Sequence, residues 1–287
     1  MAINPIPTDS GRPHQPIGEL LAESARLSEH DVKRVLAHQR KRGLRFGEAA
    51  RSLGLVTAED VQQALSRQFS YPYIRRGESG LHPMLISAYQ PFGAAAESFR
   101  MLRSQLMLRW FDKGRKVLAV GAPRAGTGSS TLAANLAVSF AQLGERTLLL
   151  DANFRNPAQH QLFGMSAETG LADVLLGRSS VEKSIVSIAQ LNGLAVLCAG
   201  PIPPNPHELL SSRAMQYLLE LAREIYDVVI IDAPPILEYA DAQMIASRAG
   251  GYVLVTRRHR TRLTDVRAVQ ERLEPSGATL LGAIVNE

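Results

Sequence analysis

Residues 116–151 read KVLAVGAPRAGTGSSTLAANLAVSFAQLGERTLLLD, and this stretch decides the fold. An apolar run leads into a loop of small residues at 121–131, and a second apolar run ends on Asp151. Between them lies a helical pattern whose apolar face consists of Leu132, Leu136, Phe140 and Leu143. The order strand, glycine loop, helix, strand and acid is typical of a phosphate-binding βαβ unit, whose loop amides and helix N-terminus bind phosphate oxygens.

The loop predicts a Mg²⁺–nucleotide site that lacks its usual cation. Ser130 is placed to bind Mg²⁺ through its hydroxyl. Ser129 stands where such a loop normally carries lysine, and Pro123 stands where the Walker pattern opens with glycine. The residues that we expect to contact the nucleotide are Gly126, Thr127, Gly128, Ser129, Ser130 and Thr131.

Two acidic residues end apolar runs that read as buried strands. Asp151 follows the loop helix, and Asp232 ends the run at 227–232. In an open α/β sheet, ligands bind at the carboxyl ends of the strands. A carboxylate at a buried strand end needs a partner, and a metal ion is a natural one. We therefore expect Asp151 and Asp232 to join Ser130 at a Mg²⁺ site.

Composition places the chain among ordinary globular proteins. Its 287 residues suffice for one or two domains, and 45% of them are hydrophobic. The apolar runs are too short for a transmembrane helix, and the polar start has no signal-peptide core. The single cysteine, Cys198, excludes an internal disulfide and is interpreted as a small apolar core residue in a reducing compartment. The net charge of +5 is spread over short clusters without aromatics, which favours a solvated surface over a nucleic-acid site.

The pattern divides the chain into four parts. We expect a disordered tail at 1–15, a helical tandem-repeat domain at 16–74, a linker at 75–90 and a P-loop domain at 91–287. In the helical domain, Gly18-Glu19 recurs 29 residues later as Gly47-Glu48. Ser28 with Asp31, and Thr57 with Asp60, have the spacing of helix-capping boxes. Apolar stripes of the two following helices are predicted at Val32, Val35, Leu36, Val61, Ala64 and Leu65.

Beyond the linker, short apolar runs alternate with helical patterns. Strands are predicted near 116–121, 146–151, 193–198, 226–231, 251–256 and 280–285, and helices near 93–109, 130–143, 207–224, 239–248 and 263–274. This alternation predicts an α/β fold, with a mostly parallel P-loop sheet flanked by helices and preceded by a small all-helical domain.

Several motifs of residues 88–287 resemble those of the bacterial tyrosine kinases (BY-kinases) of polysaccharide-export loci, most closely the free-standing EpsG-like type. They are ESFRMLR at 97–103, LDANFRNP at 150–157, AGPIPPNP at 199–206 and DAPP at 232–235. The resemblance implies ATP or ADP with Mg²⁺ as cofactors and transfer of the ATP γ-phosphate to tyrosine. It implies that Ser130 and Asp232 hold Mg²⁺, and that Asp151 orients or deprotonates the acceptor hydroxyl.

The same resemblance implies partners. Glu97, Arg100 and Arg103 match a motif that joins subunits of the family into a ring, so a homo-oligomer is expected. The inward stripe of their helix is predicted at Phe99, Leu102 and Leu106, which leaves the three charges free to meet a neighbour. A membrane-embedded polysaccharide chain-length determinant is the expected partner, and it would hold a cytoplasmic protein at the inner membrane.

The chain departs from the family pattern in three places. Ser129 replaces the loop lysine, Asn153 replaces a second acid, and no tyrosine-rich tail follows the last predicted strand. These departures predict weak or absent kinase activity. Arg124 aligns with a signature lysine of related partition and septum-positioning ATPases, so it is a candidate for the missing charge, with plain solvent exposure as the alternative. A nucleotide-sensing, non-catalytic subunit of the export machinery and a partition-type ATPase remain alternatives to an active kinase.

The helical domain resembles the N-terminal domain of type II secretion and pilus ATPases, some of which bind cyclic di-GMP through a tandem motif. Here the second copy keeps Arg45-Phe46-Gly47 and Gly54, whereas the first copy has Pro16-Ile17-Gly18 and Ala25. Half of the contact pattern is therefore missing. We expect a protein-docking module that does not bind cyclic di-GMP.

Overall fold

The structure is a computed structural model that describes residues 17–25, 27–68, 73–75, 77 and 79–287. It divides into two compact units, Met1–Tyr73 and Ile74–Glu287. The tail predicted at 1–15 lies outside the described residues. No helix in the described part of the chain has both the length and the apolar character that crossing a membrane requires.

The first unit is helical. Its described residues form α1 (Ile17–Ser24), α2 (Glu29–Arg42), α3 (Phe46–Ser52) and α4 (Ala58–Gln68). The helix pair α3–α4 starts the same 29 residues after α1–α2 that separate the sequence repeats. The four helices pack around a small core that includes Leu21, Val35, Ala49 and Ala64. The prediction that helices precede the sheet is thus confirmed.

Both predicted capping boxes are present. The backbone amide of Asp31 donates to Oγ of Ser28 at 3.2 Å, and the amide of Asp60 donates to Oγ1 of Thr57 at 3.1 Å. Each aspartate accepts the reciprocal bond from the backbone amide of its partner. The predicted stripe is wrong at Leu36, which is 39% exposed, because α2 turns Val35 rather than Leu36 into the core.

The described residues of the second unit form one seven-stranded sheet in the order β3-β4-β2-β5-β1-β6-β7. Its strands are β1 (Val117–Gly121), β2 (Thr147–Asp151), β3 (Val186–Ser187), β4 (Leu194–Leu197), β5 (Val228–Asp232), β6 (Gly251–Arg257) and β7 (Thr279–Asn286). All pairings are parallel except that of β3 with β4. The mostly parallel sheet is confirmed. Strand β3 was not predicted because two residues are too few to show a pattern.

Helices cover both faces of the sheet. The larger helices are α6 (Ala94–Arg109), α7 (Ser129–Gln142), α12 (Arg213–Ile225), α13 (Asp241–Ala249) and α14 (Leu263–Leu273). The shorter ones are α5 (Ile86–Tyr89), α8 (Gln159–Leu162), α9 (Leu171–Leu175), α10 (Val181–Ser184) and α11 (Pro206–Ser211). Strand β1 alternates between two cores, since Leu118 and Val120 join one and Val117 and Ala119 join the other. This alternation is what a sheet buried on both faces requires.

One predicted helix is divided. The pattern at 207–224 predicted a continuous helix, but the structure has α11 and α12 with a break at Ser212. Ser212 is extended, with φ −63° and ψ 161°, as is typical of an N-cap, and its side chain accepts a hydrogen bond from the amide of Met215 at 3.2 Å. The cap starts a new helix, and the apolar pattern continues across it.

The second half of the segment predicted as a linker belongs to the core of the second unit. Leu85, Ala88 and Tyr89 are buried, and α5 lies within this stretch. The backbone amide of Ser87 donates to Oδ1 of Asn135 on α7 at 2.9 Å. The linker prediction is wrong here because these apolar residues follow no regular period, so sequence pattern did not indicate their burial.

Candidate nucleotide-binding site

The loop between β1 and α7 has the backbone shape of a phosphate-binding loop. Gly126 and Gly128 adopt left-handed conformations, with φ of 79° and 86°, which residues with a side chain rarely adopt. The loop ends where α7 begins, and the first amides of a helix have no partners within it. The 14-residue helix therefore directs free N–H groups and the positive end of its dipole toward the loop.

Asp151 and Asp232 lie opposite each other on neighbouring strands. They are register partners at the carboxyl ends of β2 and β5, and both are fully buried. Asp151 accepts backbone hydrogen bonds from Ala158 and Gln159 at 3.0 Å and from Asn153 at 3.2 Å. The sheet topology thus brings together the two acids that the sequence placed 81 positions apart.

Burial raises the pKa of both carboxyl groups. For Asp232, the nearby Asp151 raises the pKa further, while the hydrogen bond from Gln159 and the adjacent hydroxyl of Ser130 lower it. For Asp151, the backbone hydrogen bonds oppose the effect of burial on its pKa. Two adjacent buried carboxylates repel each other, so the pair favours a bound cation or proton.

Gln159 links three parts of the site, and sequence analysis missed it. Its side-chain Nε2 donates to Oδ2 of Asp232 at 2.8 Å and to the carbonyl of Ser130 at 3.1 Å. Its backbone amide donates to Asp151. Gln159 follows the Asn156-Pro157 turn at the start of α8, but no local pattern marked it as a site residue.

Asn153, which stands where a second acid was expected, has a local structural role. It is buried, and its Oδ1 accepts the backbone amide of Asn156 at 3.2 Å. This bond closes the turn that returns the chain over Asp151. The amide at position 153 therefore shapes the loop above the carboxylate pair.

The site residues fit a Mg²⁺–nucleotide complex. Within the described residues, Oδ1 of Asp232 and Oγ1 of Thr127 are buried without a hydrogen-bond partner. Because buried polar atoms are normally paired, these two atoms are suited to bind a ligand. No group of three or more His, Cys, Asp or Glu side chains that could hold a metal occurs in the described residues. A divalent ion at Asp151 and Asp232 would therefore take further ligands from Ser130, phosphate oxygens and water.

Side chains from β6 and β7 also hold the loop. Nη1 of Arg257 donates to the carbonyl of Gly126 at 3.0 Å, and Nδ2 of Asn286 donates to the carbonyl of Thr127 at 2.8 Å. Arg124, the loop cation considered from sequence, instead pairs with Asp265 at 3.2 Å and has a side chain that is 59% exposed. Neither Arg257 nor Asn286 was predicted, since both lie far along the chain from the loop.

The three charges expected to join subunits behave differently from one another. Arg103 is buried and donates to the carbonyl of Ser139 on α7 at 2.7 Å, so the prediction that it is free to meet a neighbour is wrong. Glu97 is exposed, and Arg100 pairs with it and with the carbonyl of Pro91. The helix packs against α7 through more of its circumference than the apolar stripe indicated.

Known proteins resemble this chain over most of the second unit. A family profile described as AAA domain matches residues 115–262. The tyrosine-protein kinase YwqD of Bacillus subtilis is 41% identical over 202 residues, which cover 70% of this chain and 85% of that protein. The putative tyrosine-protein kinase EpsB of Ralstonia nicotianae is 35% identical over 231 residues, which cover 80% of this chain but 30% of that protein.

A solved structure extends the similarity to the fold. The kinase domain of the Escherichia coli tyrosine kinase ETK aligns with a TM-score of 0.70 and 32% identity. The alignment covers 74% of this chain and 82% of that domain.

Proposed function

Because this chain belongs to the bacterial tyrosine-kinase family, we propose that it is a Mg²⁺-dependent nucleotide-binding member that phosphorylates tyrosine weakly or not at all. The observation that carries the proposal is the buried Asp151–Asp232 pair beside a loop that has Ser129 in place of lysine. The first feature supports binding of the metal and the nucleotide, whereas the second removes a major catalytic charge.

The described residues have distinct roles in this proposal. Mg²⁺, when bound, neutralises charge on the β- and γ-phosphates. Ser130 and Asp232 would hold the ion, and the loop amides and α7 would hold the phosphate oxygens. Asp151 would orient the acceptor hydroxyl or receive its proton. Its raised pKa brings it closer to neutral pH than an exposed aspartate, which suits a proton acceptor.

Ser129 limits catalysis in physical terms. A lysine ammonium on the loop stabilises the charge that develops as the γ-phosphoryl group transfers. A serine hydroxyl is neutral and much shorter. Loss of one such contact typically costs about 3–4 kcal/mol in the transition state, or ~10²–10³ in rate.

We also propose that the protein acts in the export of an extracellular polysaccharide. The support is the AGPIPPNP segment at 199–206, which resembles that of kinases from such loci. In that setting the chain would be cytoplasmic and would contact a membrane-embedded chain-length determinant. Weak catalysis would make it a nucleotide-dependent regulator of that partner.

Calorimetry on the full chain tests the nucleotide part of the proposal. We expect ATP and ADP to bind only with Mg²⁺ and with Kd above ~10 µM, because the loop lysine is missing. Ser129→Lys should strengthen ATP binding about tenfold or more by adding a charged contact, whereas the matched Ser129→Ala should change it little. Absence of Mg²⁺-dependent binding would overturn the proposal.

Phosphotyrosine analysis tests the catalytic part. After incubation with Mg²⁺ and ATP, we expect no phosphotyrosine on the wild-type chain. Abundant phosphotyrosine that Asp151→Ala abolishes would establish an active kinase instead.

A further inference from the structure

The cation nearest in sequence to the loop does not compensate for Ser129 in this structure. Arg124 points its guanidinium at Asp265, and most of its side chain is exposed. The negative charge of Asp265 offsets much of the attraction that the Arg124 guanidinium would have for a phosphate. A charge that compensates for Ser129 would therefore have to come from the strands that flank the loop.

Arg257 is such a charge. It is the last residue of β6, which lies beside β1 in the sheet, so its side chain emerges at the same edge as the loop. Its side chain is half-buried, and Nη1 donates to the carbonyl of Gly126 at 3.0 Å. A guanidinium has five N–H donors, so this single bond fixes the side chain at the loop and leaves donors for a second partner.

The neighbouring strand strengthens this arrangement. Asn286 on β7 is the register partner of Arg257, and its amide holds the carbonyl of Thr127. The two side chains thus bind carbonyls at successive loop positions, Gly126 and Thr127. Because these carbonyls point outward to β6 and β7, the loop amides are left available to a ligand.

The sheet order decides which phosphates Arg257 can reach. Asp151 and Asp232 lie on β2 and β5, on one side of β1, whereas Arg257 lies on β6, on the other side. If the terminal phosphate and its Mg²⁺ lie at the carboxylate pair, a nucleotide that crosses the loop toward β6 would place its inner phosphates on the side of Arg257. In that orientation Arg257 would meet the part of the nucleotide that ADP and ATP have in common.

We propose that Arg257 supplies the phosphate-binding charge that Ser129 lacks, and that it binds the inner phosphates of a nucleoside diphosphate or triphosphate. This inference rests on the proposed nucleotide binding. A lysine at position 129 would favour ATP by contacting the β- and γ-phosphates. Binding through Arg257 gives no such preference, so the site would bind ADP about as tightly as ATP.

Calorimetric titration of the full chain with ADP and with ATP, both with Mg²⁺, tests the assignment. In the wild type we expect the two Kd values to agree within about threefold. Arg257→Gln should weaken both nucleotides by roughly tenfold or more, because it removes a charge-assisted contact. Arg257→Lys should keep part of the affinity, and the matched control Arg124→Gln should leave it within about twofold.

A rescue variant separates charge from structure. In Arg257→Gln combined with Ser129→Lys, ATP affinity should recover more than ADP affinity, because the new ammonium reaches the γ-phosphate. The melting temperature of each variant without nucleotide checks folding. If Arg257→Gln does not fold, the nucleotide affinity of Arg257→Lys and the ratio of the wild-type Kd values for ADP and ATP test the assignment of Arg257 instead.

The outcomes distinguish this inference from the proposed function. Wild-type binding that Arg257→Gln leaves unchanged would overturn the role of Arg257 alone. A wild type that prefers ATP more than tenfold would overturn the inner-phosphate assignment. A wild type that binds neither nucleotide would overturn the proposed function together with this inference.

Discussion

Gln159 donates a hydrogen bond from its side-chain amide to Oδ2 of Asp232 at 2.8 Å. Through its backbone amide the same residue binds Asp151, so one glutamine holds both buried carboxyl groups. Its side chain also binds the carbonyl of Ser130, which ties the pair to the first turn of α7. The position of the carboxylates therefore depends on a residue that has no charge of its own.

Gln159→Ala should weaken the response to Mg²⁺. The bond from Gln159 lowers the pKa of Asp232, so its loss favours the protonated form, which binds a cation poorly. We expect the Mg²⁺ concentration for half-maximal ATP binding to rise by about threefold to tenfold. Gln161→Ala, at an exposed position on the same helix, is the matched control. Equal Mg²⁺ dependence in both variants would contradict a role for the glutamine at the metal.

Stability without nucleotide should fall as pH rises. Asp151 and Asp232 both have folded-state pKa values above the unfolded value of about 4, so the folded protein retains protons that the unfolded chain releases. This contribution to stability is present below pH ~4 and is lost as pH rises through the raised pKa values. Asp232→Asn should therefore raise the melting temperature at pH 8 by about 2–4 °C, on the order of 1 kcal/mol. Saturating Mg²⁺ should stabilise the wild type more than this variant.

Asp227→Asn provides a control of opposite sign. Its hydrogen bond with Arg146 lowers the pKa of Asp227 to about 2, so its charge stabilises the folded state at neutral pH. The pair is partly exposed, and the loss should stay below about 1 kcal/mol. Stabilisation by both substitutions would show that burial of the carboxylate pair is not the cause.

Arg103→Ala should destabilise the fold. Arg103 is buried and binds the carbonyl of Ser139, so its removal leaves a buried acceptor without that partner and a gap in the packing. We expect a loss of about 1–3 kcal/mol in thermal or denaturant unfolding. Glu97→Ala, at an exposed position on the same helix, should cost less than about 0.5 kcal/mol.

Light scattering of Glu97→Ala and Arg100→Ala then tests assembly without the confounding loss of stability, and a monomeric wild type at ~100 µM would count against a homo-oligomer.

Cyclic di-GMP should not bind. Arg45 lies at the start of α3, where its backbone amide donates to Glu48 at 3.0 Å, but the first repeat has no arginine at the equivalent position. A two-copy site would therefore lack half of its cationic contacts. Calorimetry of the full chain should show no saturable binding, and binding that Arg45→Ala removes would prove this expectation wrong.

The sequence by itself determined the elements whose cause is local. The glycine loop, the capping boxes at Ser28 and Thr57 and the strand ends at Asp151 and Asp232 all follow from neighbouring residues, and the structure has each of them. The alternation of strand and helix was sufficient to predict the mostly parallel sheet. The sequence could predict these features because backbone conformation and hydrophobic periodicity depend on only a few neighbouring residues.

Tertiary structure alone decided which distant side chains complete the site. Arg257 reaches a loop 131 positions earlier, and Gln159 reaches Asp232 across 73 positions, because parallel pairing aligns the carboxyl ends of strands that are far apart in sequence. It also buried Arg103, whose charge had indicated an exposed position. A polar side chain is buried when a specific carbonyl or carboxylate meets it, and that partner is set by strand order and helix packing, which no local pattern contains.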